Sequence, residues 1–113
     1  MTLYFKDGFS VDFIKEGNKN KIIYHDFDCI ETGAFKDIPK DFGNYWYKKM
    51  KSYSDNNRDG KKIINCFILD LYAYYGDFDC YSDFHKDIYH FRPRFANVNK
   101  WKEIVQNAKE RKP

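Results

Sequence analysis

Apolar and polar residues alternate through the first third of the chain. Leu3-Tyr4-Phe5-Lys6 leads through Asp7-Gly8 into Phe9-Ser10-Val11-Asp12-Phe13-Ile14, where Phe9, Val11 and Phe13 alternate with Ser10 and Asp12. Side chains on a strand point to opposite faces in turn, so this spacing predicts a half-buried hairpin. Asp7-Gly8 has the composition of a type I′ turn, which needs positive φ angles. Gly17-Asn18-Lys19-Asn20 is a second turn signal, and Ile22 to Cys29 follows as a third strand. Three antiparallel strands with one apolar face need helices to cover them.

The period then changes. From Pro39 to about Tyr53, the residues Phe42, Tyr45, Trp46, Met50 and Tyr53 recur at three- and four-residue intervals, while Lys48, Lys49 and Lys51 fall off that stripe. This predicts an amphipathic helix, with Pro39 in its first turn, where a missing N–H costs nothing. Residues 63–75 are ambiguous. Ile64, Phe67, Ile68, Leu71 and Tyr75 form a helical stripe, yet the run is apolar enough for a buried strand. The end of β-branched residues at Ile68, with Ala73 beyond, favours helix. Asp77 to Phe91 reads as another helix, ended by Pro93, which pushes its predecessor out of helical geometry. A last helix from Val98 to Lys109 carries Trp101, Ile104, Val105 and Ala108 on one face, capped by Asn97 or Asn99. Phe84, Ile88 and Phe91 are the nearest apolar surface for that face, and the tail from Glu110 is expected to fray. The expectation is an α+β fold, a small N-terminal antiparallel sheet of about three strands covered by three to four helices. The 113 residues suit a single domain, 1–113.

Composition changes the picture in two ways. Eleven Phe, ten Tyr and two Trp accompany only three Leu and three Val, so rings must fill the core. A buried Tyr hydroxyl needs a partner, so some of the ten must reach the surface, where Tyr favours contact. Codon bias in an AT-rich genome would also enrich Tyr, Phe, Ile, Asn and Lys. The net charge of +3 is unevenly spread. Residues 63–91 hold five Asp and one Lys, whereas residues 92–113 hold seven Lys/Arg and two Glu.

Three irregularly spaced cysteines and the absence of an early apolar run predict a cytoplasmic protein with free thiols, without a membrane partner. His25, Cys29, Cys80 and His85 could supply a zinc tetrahedron, but no paired-ligand spacing is present, and His25 and Cys29 on one strand would lie ~13 Å apart. The aspartates from Asp77 lack the glycine and the final glutamate of a calcium loop. No nucleophile elbow, phosphate-binding glycine loop or metalloprotease helix occurs. No catalytic residue, metal site or cofactor is therefore expected, and binding is favoured over catalysis. Arg92, Arg94, Lys100 and Lys102, with Asp83 and Asp87, are the candidate partner-binding residues. A basic segment near aromatics keeps nucleic acid as an alternative partner; a small metal-binding protein is the second alternative.

Asp83-Phe84-His85-Lys86-Asp87-Ile88-Tyr89-His90-Phe91-Arg92-Pro93-Arg94 resembles a short motif of small accessory proteins of tailed bacteriophages. In that motif an Asp-x-x-Lys-Asp helix end passes through a glycine turn into Arg-Pro-Arg. His90 stands here where glycine is usual, and a left-handed turn strains His more than Gly. The resemblance implies a phage product in the host bacterial cytoplasm. It further implies, as small phage proteins often act in this way, that the chain inhibits or redirects a host protein by binding it, a defence effector such as a CRISPR or restriction nuclease, or a nucleoprotein complex, being the expected partner.

Overall fold

The computed structural model describes residues 1–27, 31–95 and 97–112. The elements are β1 (Thr2–Tyr4), β2 (Phe9–Glu16), β3 (Lys19–Asp26), β4 (Glu31–Pro39), α1 (Lys40–Asp55), α2 (Gly60–Tyr74), α3 (Phe78–Tyr89) and α4 (Val98–Lys109). The protein is α+β, with an antiparallel sheet in the order β1-β2-β3-β4. Met1–Ile64 form one compact unit and Asn65–Arg111 a second, α2 beginning in the first and ending in the other. No helix among the described residues is long and apolar enough to cross a membrane.

The alternating pattern becomes the first hairpin, but not with the expected turn. Gly8 alone takes a left-handed φ, of 80°, and the Phe5 N–H donates to the Phe9 carbonyl across the loop at 2.9 Å. A type I′ turn needs two such residues, so the connection is the longer kind that ends in a left-handed glycine. At the second turn, Glu16 pairs with Lys19 around Gly17-Asn18, and the third strand stops at Asp26. Cys29, expected in that strand, lies outside the described residues.

The sheet has four strands, not about three. The fourth contains Gly33, Asp37 and Pro39, residues poor in strand propensity. Its apolar positions also break alternation. Phe35 pairs with Ile22 and Ile38 with Asn20, so three steps on β4 oppose two on β3. Asp37, at φ 56°, sits within this bulge. An extra residue resets the pleat and brings both Phe35 and Ile38 to the inner face. β4 lies at a sheet edge, where proline is tolerated.

The inner face carries Leu3, Phe9, Val11, Ile22 and Ile38, all buried, and α1 contributes buried Phe42, Trp46 and Met50. Pro39 is the N-cap of α1 rather than its first turn. On the outer face a polar chain crosses all four strands. The Thr2 hydroxyl donates to Asp12 Oδ1 at 2.5 Å, His25 Nε2 lies 3.2 Å from Asp12 Oδ2, and His25 Nδ1 lies 3.2 Å from Thr32 Oγ1. The Thr2 hydroxyl, with His25, holds the Asp12 carboxyl below its usual range against the opposing effect of burial.

Residues 60–74 are helical. Ile63, Ile64, Phe67, Ile68, Leu69, Leu71 and Ala73 are all buried, so this helix has almost no wet face. Fifteen residues also exceed the usual strand length. Its first turn is held from far away in sequence, because the Asp7 carboxylate accepts from the Gly60 N–H at 2.9 Å and the Lys61 N–H at 3.1 Å. These amides have no partner within the helix, and a negative group suits the positive end of its dipole. A Cβ on Gly60 would meet Phe5 and Phe9 at 2.7 Å, so only glycine lets the helix start against those rings.

Three outcomes follow for stability. Gly60→Ala should destabilise by about 1–3 kcal/mol through overpacking and Asp7→Ala by about 1 kcal/mol through loss of the cap, both read from denaturant midpoints. Asp12 is the acid-sensitive point of the sheet. A carboxylate with a depressed folded pKa stabilises above its unfolded value and loses that contribution as pH falls through the folded value. Asp12→Asn should therefore lower stability at neutral pH and flatten its decline below pH 3.8, measured by thermal unfolding from pH 2 to 7.

Candidate functional site

The second unit places the motif residues and the aromatics flanking them around α3, the connection after it, and α4. Asp77 caps α3, accepting from the Cys80 N–H at 3.0 Å, which holds its carboxyl below the usual range. The same carboxylate, first among several, pushes the exposed Cys80 thiol up, so the thiol stays protonated and is a poor nucleophile. At the other end His90 adopts φ 68°, and its N–H donates to the Lys86 carbonyl at 2.8 Å. A left-handed residue thus closes the helix where the phage motif has glycine. His85 Nδ1 donates to the Phe91 carbonyl at 2.8 Å and fastens the chain leaving that turn.

Asn97 is the cap of α4, its Oδ1 accepting from the Lys100 N–H at 3.3 Å. The apolar face of α4 packs differently from the sequence expectation. Trp101 meets Phe78 at 5.1 Å and Tyr81 at 5.0 Å between ring centroids, both edge to face, and stacks on Phe95 at 6.3 Å. Phe78 and Tyr81 lie at the start of α3 and Phe95 in the connection to α4, whereas Phe84 turns to Tyr72 of α2 and Phe91 to His85 and Tyr89. Burial pushes the Tyr81 phenol up, with Asp70 and Tyr89 adding to the shift.

This packing leaves an open groove of about 430 Å³ lined by Phe78, Pro93, Phe95, Asn97, Val98 and Trp101. Its walls are exposed for apolar groups, Phe78 at 40% and Val98 at 68%. A second, polar cleft of about 620 Å³ shares Phe95 and Asn97 with it and adds Arg94, Asn99, Lys100 and Glu103. Asn97 and Trp101 bring unused donors. The Asn97 amide oxygen is committed to the cap, and the Trp101 indole N–H meets no acceptor among the described residues.

The six candidate residues separate under this geometry. Arg92 clamps the chain to α3 through Asp83 at 2.5 Å and the Ser82 hydroxyl at 3.0 Å. Lys100 lies 3.9 Å from Glu103. Asp87, Arg94 and Lys102 are exposed, and no ion pair joins Arg94 to Asp87 among the described residues. The tail is not frayed at Arg111, whose guanidinium holds Asp70 at 3.2 and 3.4 Å. Arg58 lies 4.3 Å over the Tyr53 ring. Three of the four arginines are thus engaged internally, and Arg94 stands apart at the mouth of the polar cleft. The groove residues escaped the sequence reading because Trp101 and Phe78 have helical spacing, which signals a core stripe equally well.

Among the described residues no three His, Cys, Asp or Glu side chains come together as a metal would require. His25 is instead tied to Asp12 and Thr32, and His85 to a carbonyl. Comparison with known proteins finds no matching family model, curated protein or solved structure.

The two arginine clamps differ in burial, which sets the expected outcomes. Arg92→Ala should cost at most about 1 kcal/mol, since the pair with Asp83 is exposed. Arg111→Ala should cost about 1–2 kcal/mol, because Asp70 keeps only 10% side-chain exposure and loses a charged donor. Arg94→Ala should leave the denaturant midpoint unchanged.

Proposed function

We propose that this chain is a small phage-type accessory protein that binds a host protein in the bacterial cytoplasm and inhibits or redirects it. The observation that carries this reading is the exposed aromatic groove beside an unpaired arginine. Protein interfaces combine an aromatic centre with a polar, charged rim, and Trp, Tyr and Arg dominate their energetics. Phe78, Phe95 and Trp101 would supply the centre, and Arg94, Lys100 and Lys102 the rim. The likeness of residues 83–94 to the phage motif supports the setting, and a defence effector such as a CRISPR or restriction nuclease is the partner class it favours. The function is stoichiometric binding, with no catalytic group required.

Nucleic acid is the weaker reading of the same surface. Arg92 and Arg111 are occupied by Asp83 and Asp70, and exposed Asp79, Asp83 and Asp87 on α3 would repel a phosphate backbone.

The tagged protein should retain a bacterial protein from nuclease-treated lysate, identified by mass spectrometry. Val98→Glu, at an exposed groove position, should reduce retention at least about tenfold without changing the fold seen by circular dichroism. Retention that vanishes with nuclease treatment, or that ignores Val98→Glu, would reject the reading.

A further inference from the structure

Resting on that docking reading, we infer that the groove takes an extended, proline-containing segment of the partner with an acidic residue beside it. The groove walls are aromatic, with Phe78 set edge-on to Trp101 at 5.1 Å and Phe95 stacked on Trp101 at 6.3 Å between centroids. Aromatic-lined open grooves of this kind are the surfaces on which rigid, extended apolar segments dock. A proline segment matches this, since its extended helix is preformed and loses little entropy on docking.

Such a segment makes no internal hydrogen bonds, so its carbonyls are free acceptors. The groove holds the complementary groups, the Trp101 indole N–H and the Asn97 amide N–H, neither matched to an acceptor among the described residues. Apolar walls with a few convergent donors fix both orientation and register of a bound chain.

Charge selects the flank. The polar cleft continues from the groove through Phe95 and Asn97 and contains Arg94, Lys100 and Glu103. Lys100 is partly offset by Glu103 at 3.9 Å, whereas Arg94 has no counter-ion among the described residues. One net cation at this mouth complements a single carboxylate, and the planar guanidinium suits bidentate contact with it. It is poorly suited to a polyanion, which needs several cations in a row.

The test is a titration of the full-length protein followed by two-dimensional NMR. One probe is a blocked decapeptide of proline with one central aspartate, the second carries lysine in its place, and the third is a short oligothymidylate. The aspartate peptide should shift the Trp101 indole and Asn97 amide resonances and bind about tenfold tighter than the lysine peptide. Arg94→Glu should erase that preference while the fold stays intact, and Val98→Glu should abolish binding of both peptides. Equal affinity for the two peptides, no shift at millimolar peptide, or tighter binding of the oligothymidylate would each overturn the inference. If the peptides fail while the wild type, but not Val98→Glu, still captures a host protein, only the segment chemistry is lost and the docking reading stands.

Discussion

A fifteen-residue helix with almost no polar face sets the terms for this protein. Between Ile63 and Ala73 the α2 helix buries seven apolar side chains, and each of its polar ends must then be matched by a specific group. The start is met by the Asp7 carboxylate on the Gly60 and Lys61 amides, and the half-turn near the end by Arg111 on Asp70. An unmatched amide or carboxylate in such surroundings would cost on the order of 1–3 kcal/mol. The hairpin loop that holds Asp7 and the residues after α4 that hold Arg111 are therefore constrained by the burial of one helix. Gly60 belongs to the same constraint, since Phe5 and Phe9 leave its first turn no room for a side chain.

The fully buried rings are selected by chemistry. Phe5, Phe9, Phe42, Phe67 and Trp46 are buried, whereas none of the ten tyrosines is. Phenylalanine carries no polar atom and can be enclosed at no hydrogen-bonding cost, while a tyrosine hydroxyl keeps its residue near water or a partner. Rings remain after the core is filled, and in the second unit they gather between α3 and α4. The aromatics left over from the core thus line an exposed groove.

Charge follows a similar division. The acidic and basic halves of the C-terminal segment could have formed two separate patches. Instead Arg92 meets Asp83 and Arg111 meets Asp70, so each half neutralises part of the other. What survives beside the apolar groove is one unpaired arginine, while Lys102, Lys109 and Lys112, also without an ion pair among the described residues, are spread along α4 and after it. The proposed preference for a protein segment over nucleic acid rests on that cancellation, because a polyanion responds to summed charge and a single carboxylate to one well-placed cation.

Where a feature depends on residues close in sequence, the chain alone was enough to read it. The first hairpin, the α1 stripe of Phe42, Trp46 and Met50, the Asn97 cap and the break before Pro93 all follow from spacing and single-residue preference. The left-handed closure at His90, which ends α3 at Tyr89, two residues short of the expected helix end at Phe91, was not legible in this way, because single-residue preference disfavours that conformation for His. β4 was missed because the bulge at Asp37 carries Phe35 and Ile38 to one face, which strict alternation cannot register. The partner of Trp101 lay at the wrong end of α3 in the sequence reading, since helical period gives a direction around an axis and no position along a neighbour. Asp7 on Gly60 and Arg111 on Asp70 join residues 53 and 41 positions apart. Local propensity determined which segments became strands and helices; only three-dimensional packing, which brings distant residues into one low-dielectric space, decided which polar groups must pair and which rings and which arginine were left exposed.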